Sequence, residues 1–352
     1  MTVSDVSTQA GTGPPATASA THIPIDVGAE ARARLSLRQR VPWFTLVAAL
    51  AGFAVSWYSD AVPDVRYWAG RELATRVELA GAVALVLLAV AGTLVTRVRT
   101  RVVSGGPRLV AVVAIVALWE ALTAKSGTLP LPMFPPPASV LKVFSDDYET
   151  LFVSTLYSMR LLLVGAAVGA VSGFVTGVAI AWWRVVGYWV HPVLKLIGPV
   201  PATAWLPIVF IVFPTSFQAS IFLIALSAWF PVTVLTWSGV ASVNTGYFDV
   251  ARTLGAGQWF LIRKVAVPAA LPHVFVGLFM GLGSTFVTLI VAEMLGVKAG
   301  LGWYIQWAIG WAAYNKMYAS LAVMAVLFSG LLSLVFAVRD HFLDWQKGLL
   351  RW

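Results

Sequence analysis

Eight separated apolar runs, each long enough or nearly long enough to cross a bilayer, constrain this chain more than any single motif does. A helix needs about 20 predominantly apolar residues to span the hydrocarbon core. The runs are Val41–Ser59, Leu79–Thr96, Leu109–Thr123, Thr155–Trp183, Val190–Phe213, Phe217–Val240, Ala269–Ala292 and Tyr318–Val338. The first and third are short, and Pro199, Pro201 and Pro207 interrupt the fifth. In lipid, only helices and closed barrels satisfy every backbone polar group internally, so runs of this length predict an all-α polytopic membrane protein with about eight transmembrane helices. The charge content agrees. Only 11% of the 352 residues are charged, against about 25% in a soluble domain, which excludes a soluble enzyme.

The flanking residues set an orientation. Residues 1–40 comprise a Ser/Thr/Gly/Pro/Ala-rich stretch and then Arg32, Arg34, Arg38 and Arg40. They predict a disordered, basic tail. With both termini in the cytoplasm, sixteen Lys and Arg residues fall on the inner side and seven on the outer side, as the excess of basic residues in cytoplasmic loops requires. The net charge of +9 is therefore topology rather than a nucleic-acid surface. There is no cysteine, and the four histidines are far apart, so no metal site and no catalytic cluster is expected.

Within the spans, Gly165, Gly169, Gly173 and Gly177 recur along one helical face. Small residues let helices approach closely in lipid, either inside one subunit or at a seam between two. Arg160 and Glu293 both fall at outer span ends; they either pair near an outer gate or reach the headgroups separately. Irregular backbone at membrane depth is tolerated where it lines a cavity. That makes Pro199, Pro201 and Pro207, with Trp205 and Trp229, the candidates for lining a pathway, although core packing is the more ordinary use of both tryptophans.

The connection Ala241–Ala266 lies on the inner side. Asp249–Leu254 reads as helical, Gly255 permits a sharp turn, and Gln258–Val265 reads as a second short helix that stops before Pro268. Two such helices form a knob, which is either an interfacial hairpin or a docking surface. Asp249, Val250 and Ala251, then Gly255, then Val265, Val267 and Pro268 resemble the E-A-A, G, I-x-L-P coupling motif of binding-protein-dependent ABC importer permeases, with the spacing kept in full. Leu129–Val140 and the blocks PVPATAWLPIVFIVF, VPAALPHVFVGL, VAEMLG and AGLGWYI resemble the nitrate/sulfonate/taurine branch, in the same order. The resemblance covers about Leu109–Trp352.

The resemblance implies a type I importer permease core over 109–352, with coupling helices at 244–268. An extra two-helix segment at 41–108 lies outside it. It further implies a pore made by two copies of this chain in the bacterial inner membrane, with two cytoplasmic ABC ATPase subunits and an extracytoplasmic substrate-binding protein as partners. Asp249, Ala251, Arg252, Gly255, Ala256 and Pro268 would then form the ATPase-coupling site. The chain has no G-x-x-x-x-G-K-[ST] phosphate loop, so ATP and Mg would sit on the partner and this chain would not be an enzyme. The solute would be a small anion such as a sulfonate, nitrate or bicarbonate, or a vitamin-related compound. The other reading is a gradient-driven transporter or channel, which usually carries an intramembrane relay of ionisable residues; such residues are scarce here.

Overall fold

The computed structural model describes residues 43–65, 70–94 and 96–344; the expected tail at 1–40 lies outside them. Every regular element among the described residues is helical. Three long helices come first: α1 (Trp43–Ala61), α2 (Arg71–Leu94) and α3 (Thr96–Glu120), the last extended by a π-helical turn at Ala121–Lys125. They are followed by α4 (Pro137–Asp146), α5 (Tyr148–Trp182), α6 (Arg184–Ile197), α7 (Leu206–Val212), α8 (Ser216–Ala241) and α9 (Thr245–Thr253). The last three are α10 (Gln258–Gly296), α11 (Leu301–Gly310) and α12 (Tyr314–Phe342). Seven of these are long and apolar enough to cross a membrane, and an eighth crossing arises if α6 and the stretch Ala202–Val212, bent by 88° at the proline-rich break, form one broken span.

The helices outrun the apolar runs that announced them. Arginine and leucine are comparably good helix formers and long basic side chains can reach the headgroups, so charge ends an apolar run without ending a helix. Thus α2 begins at Arg71, and α3 passes without a break through position 108, where the extra segment was expected to end.

The chain divides into two compact units, residues 1–51 with 82–112, and residues 52–81 with 113–352. In the described part of the first, Thr45 Oγ1 donates to the Val102 carbonyl at 3.4 Å, and Gly106 and Gly92 allow close approach of Phe44 and Val102.

The second unit is organised around α8. A Cβ at Gly165 would meet Ile224. At Gly169 it would meet the Ala225 carbonyl and Ala228, at Gly173 the Trp229 carbonyl and Val232, and at Gly177 the Thr233 carbonyl and Thr236. Gly277 and Gly281 of α10 bring a second helix onto Ala228, Val232 and Leu235. Val232 is thus gripped by α5 and α10 together, with no exposed surface left. The glycine stripe is packing within one subunit, not a seam between two.

The same unit holds a charge network at the end of α1. Lys125, presented by the π-helical turn, donates to the carbonyls of Ser59 at 2.7 Å and Val62 at 2.6 Å and pairs with Asp64 at 2.8 Å. A cation at this point complements the unsatisfied carbonyls and the negative end of the α1 dipole. Arg71 reinforces it through Ser59 O at 2.6 Å, and the Ser59 hydroxyl lies 2.5 Å from Glu120 and 3.2 Å from Glu78. Residues that the sequence offers only as outer loop charges are here the clasp on a helix end.

Candidate functional site

A cavity of ≈ 630 Å³ opens beside the broken span. Its walls come from the break itself (Gly198, Val200, Pro201, Thr203), from α8 (Ser227, Phe230, Pro231) and from α10 (Met280, Gly283, Ser284, Val287, Thr288). No ionisable side chain lines it. The hydroxyls that α8 and α10 contribute are already committed as donors within their own helices: Ser227 to the Ile224 carbonyl at 2.7 Å, Ser284 to Met280 at 3.2 Å, and Thr288 to Ser284 at 2.9 Å. Their oxygens remain available as acceptors. The wall thus offers hydroxyl acceptors and apolar surface, and no charge.

Of the five expected lining residues, only Pro201 reaches the wall. Pro199 and Pro207 shape the break without facing the cavity. Trp205 packs with Val209, Ala219 and Leu223, because a large indole gains more from burial than from a wet surface. Trp229 donates Nε1 to Thr176 Oγ1 at 3.2 Å, so its polar edge is spent on α5. The small hydroxyl residues of α8 and α10 that do line the cavity carry little signal, since serine and threonine are equally common where helices simply pack.

The knob is built as a capped helix and a turn. Asn244 caps the start of α9 by accepting from Gly246 N at 2.8 Å. At the other end Gly255 adopts φ +81°. Its N–H donates to the Arg252 carbonyl at 2.9 Å, and Ala256 N donates to Ala251 at 3.0 Å, the pair of bonds that defines a Schellman stop. A Cβ at Gly255 would meet nothing within 4 Å, so glycine is demanded there by backbone conformation alone. Ala251 is buried while Arg252 is exposed, and Asp249 and Arg252 form an exposed pair at 3.2 Å. Around them Tyr247, Val250, Leu254 and Trp259 are exposed apolar side chains, Leu254 at 83%. The base of the knob is fixed: Ile262 and Ala266 pack with Val178 and Val240, and Trp182 donates to Gln258 at 3.1 Å.

The second knob helix does not stop before Pro268. It continues as α10, through a π-helical turn at Leu261–Ala266, with Pro268 at the start of the α-helical stretch that follows. A wider π turn resets the carbonyl ladder, so a proline just beyond it loses little, as at any first helical turn.

Arg160 and Glu293 form no ion pair. Arg160 lies over the Phe217 ring, 4.8 Å from its centroid. Glu293 is fully buried and accepts from Ser158 and from Gly302 N, each at 2.9 Å. An aromatic face suits a guanidinium, and Glu293 is served by neutral donors instead. Asp147 accepts from Tyr304 at 2.8 Å and pairs with Lys316 at 2.5 Å. Burial alone would raise the Asp147 carboxyl, but the bonds from Lys316 and Tyr304 outweigh it and hold the group below its ordinary value. The Tyr304 hydroxyl is pushed up by burial and by Asp147.

Residues 169–346 match the family described as binding-protein-dependent transport system inner membrane component, a stretch that contains α8, the knob and all of α10. The bicarbonate transport system permease protein CmpB of Synechococcus elongatus is 30% identical over 204 residues, covering 57% of this chain and 70% of the relative. The nitrate import permease protein NrtB of Synechocystis is 27% identical over 251 residues, covering 68% and 87%. A chain of the inward-facing MetNI methionine ABC transporter is similar at a TM-score of 0.47 and 19% identity, over 56% of this chain and 98% of that one. With more than half of its length inside the matched family, this multi-pass chain belongs to the inner-membrane components of binding-protein-dependent transport systems.

Proposed function

We propose that two copies of this chain form the pore of an ATP-driven importer of a small solute, a sulfonate, a nitrate- or bicarbonate-like anion, or a vitamin-related compound. In this reading two ATPase subunits, which hold the ATP and Mg, grip the two knobs from the cytoplasm, and both termini of each chain are cytoplasmic. A binding protein delivers the solute outside, and this chain carries no cofactor. The single observation that supports the reading best is the knob. It combines a Schellman turn at Gly255, an exposed Asp249–Arg252 pair and a cluster of exposed apolar side chains on a packed base, all at the motif's spacing. Asp249, Ala251, Arg252, Gly255, Ala256 and Pro268 are the residues assigned to coupling. A switch of the pore follows if the ATP-bound partners favour one knob geometry over the other.

The test is purification of the tagged chain from its native membranes in mild detergent, beside Gly255→Pro. Proline cannot adopt φ +81° and removes the donor to Arg252. A nucleotide-binding subunit at equal stoichiometry with the parent and absent with the variant supports the reading, as does vanadate-sensitive uptake. A stable chain that purifies alone, with uptake sensitive to uncouplers and indifferent to vanadate, overturns it in favour of a gradient-driven transporter.

A further inference from the structure

The helix α11 has no cap of its own. Its N-cap is Gly300, at φ +114° and without a side chain. The first N–H groups of a helix have no partner inside it, and two of them here are met by other helices. Ser158 of α5 accepts from Leu301 N at 2.8 Å, and Glu293 of α10 accepts from Gly302 N at 2.9 Å. Ser158 donates in turn to the same Glu293 oxygen at 2.9 Å. From α12, Ser320 donates to the Leu301 carbonyl at 3.2 Å. Ser158, Glu293, Leu301 and Ser320 are all buried. The glycines around the carboxylate are matched to it: a Cβ at Gly300 would strike the carboxyl group, and one at Gly302 would strike the Glu293 Cβ and the Ile290 carbonyl. Thr288, on the cavity wall, stands five positions before Glu293 on the same helix.

Separating α11 from α5 and α10 would strand a carboxylate, a hydroxyl and two N–H groups without partners. Buried polar groups deprived of their partners cost more than any one hydrogen bond returns. The junction is therefore built to stay closed. We infer that Glu293 is a positioning residue for transport, locking α11 to α5 and α10 through the whole cycle so that the α10 cavity wall and the outer end of the chain move as one piece. This rests on the reading of the chain as a transport permease. It requires Glu293 as a hydrogen-bond acceptor and not as a charge, so Gln can replace it, which a proton-relay carboxylate would not tolerate.

The natural absence of cysteine supplies the test. Ala308, on α11, is fully buried and takes no part in the junction. In the assembled transporter in vesicles, Ala308→Cys should resist a membrane-permeant maleimide at rest, with ATP and after vanadate trapping. In the Glu293→Ala background the cysteine should label, and the maximal uptake rate should fall by about tenfold or more, the scale expected when two buried donors lose one acceptor. Half-saturation by the solute should hardly move. Glu293→Gln should restore both protection and rate. If Glu293→Ala does not accumulate, Ser158→Ala is read in its place and should expose the cysteine in the same way. Labelling of Ala308→Cys in the parent in any nucleotide state would make α11 a moving gate and overturn the inference. So would loss of uptake in Glu293→Gln with the cysteine still protected. The labelling result does not depend on the solute, and failure of the importer reading would show separately, as uptake without ATP dependence.

Discussion

Replacing Gly169 by alanine tests whether the α5–α8 contact limits stability. The added Cβ would fall against the Ala225 carbonyl and 2.7 Å from the Ala228 Cβ. One obstacle is backbone, so no rotamer change relieves it, and the helices must separate. Overpacking of this kind costs about 1–3 kcal/mol. Alanine also gains roughly 0.8–1 kcal/mol over glycine in helix propensity, which confuses a single measurement. Gly330 of α12 cancels that term, because a Cβ there meets nothing within 4 Å. Gly330→Ala should show the propensity gain alone. The difference between the two variants should be the overpacking cost, about 1–3 kcal/mol against Gly169→Ala. Reversible unfolding in mixed micelles, titrated with a denaturing detergent and followed by tryptophan fluorescence, reads that difference. Adding Ala228→Gly to Gly169→Ala should recover only part of the loss, since the Ala225 carbonyl stays in place. Equal stability of the Gly169 and Gly330 variants would refute the reasoning and place the stripe elsewhere than in this contact.

Three further outcomes follow from described contacts. Lys125→Met removes the nearer of the two cations on Asp64, leaving Arg71 at 3.6 Å, and should destabilise the chain by about 1.5–3 kcal/mol, with Asp64→Asn recovering part of it, in the same unfolding assay. Asp147 has a depressed pKa in the folded chain, so its stabilising contribution is intact above the ordinary carboxyl value of 3.8 and is lost as pH falls toward the lower folded value. The melting midpoint should therefore drop in acid below that value, and less so in Asp147→Asn; an unchanged acid profile would count against the Lys316–Asp147–Tyr304 contacts. Gly283 lines the cavity and faces open space, so Gly283→Leu should leave the unfolding free energy within about 0.5 kcal/mol of the parent, as for an uncrowded site, while reducing uptake severely.

The parts of the fold written as period or as spacing were legible in the sequence. Apolar runs located the spans, the every-fourth-residue glycines marked a close contact, and the distance from Asp249 to Pro268 marked the knob. What was hidden depended on partners distant in sequence. Glu293 could not be matched to Ser158, 135 residues away, because a neutral hydroxyl carries no charge signal, whereas Arg160 carries one and stood as one of two readings. The continuation of α10 through Pro268 was hidden because a π turn leaves no compositional mark. The cavity wall was hidden because its serine, threonine and glycine residues look like packing residues until the helices are placed. Lys125 and Arg71 looked like loop charges because the helix end they clasp is defined by carbonyls, which every residue has.

The continuity of α10 has a consequence for how such a chain can vary. Knob base, cavity wall and the Glu293 carboxylate lie on one screw of 39 residues, and each must point a different way. One inserted residue turns everything beyond it by about 100° and advances it by about 1.5 Å. An insertion between Ala266 and Met280 would keep the knob and rotate Ser284 and Thr288 off the cavity; one between Thr288 and Glu293 would keep the cavity and carry the carboxylate away from Leu301 and Gly302. The three sites are locked in angular phase, so length changes are confined to the connections between helices, and along this stretch sequence can drift only by substitution.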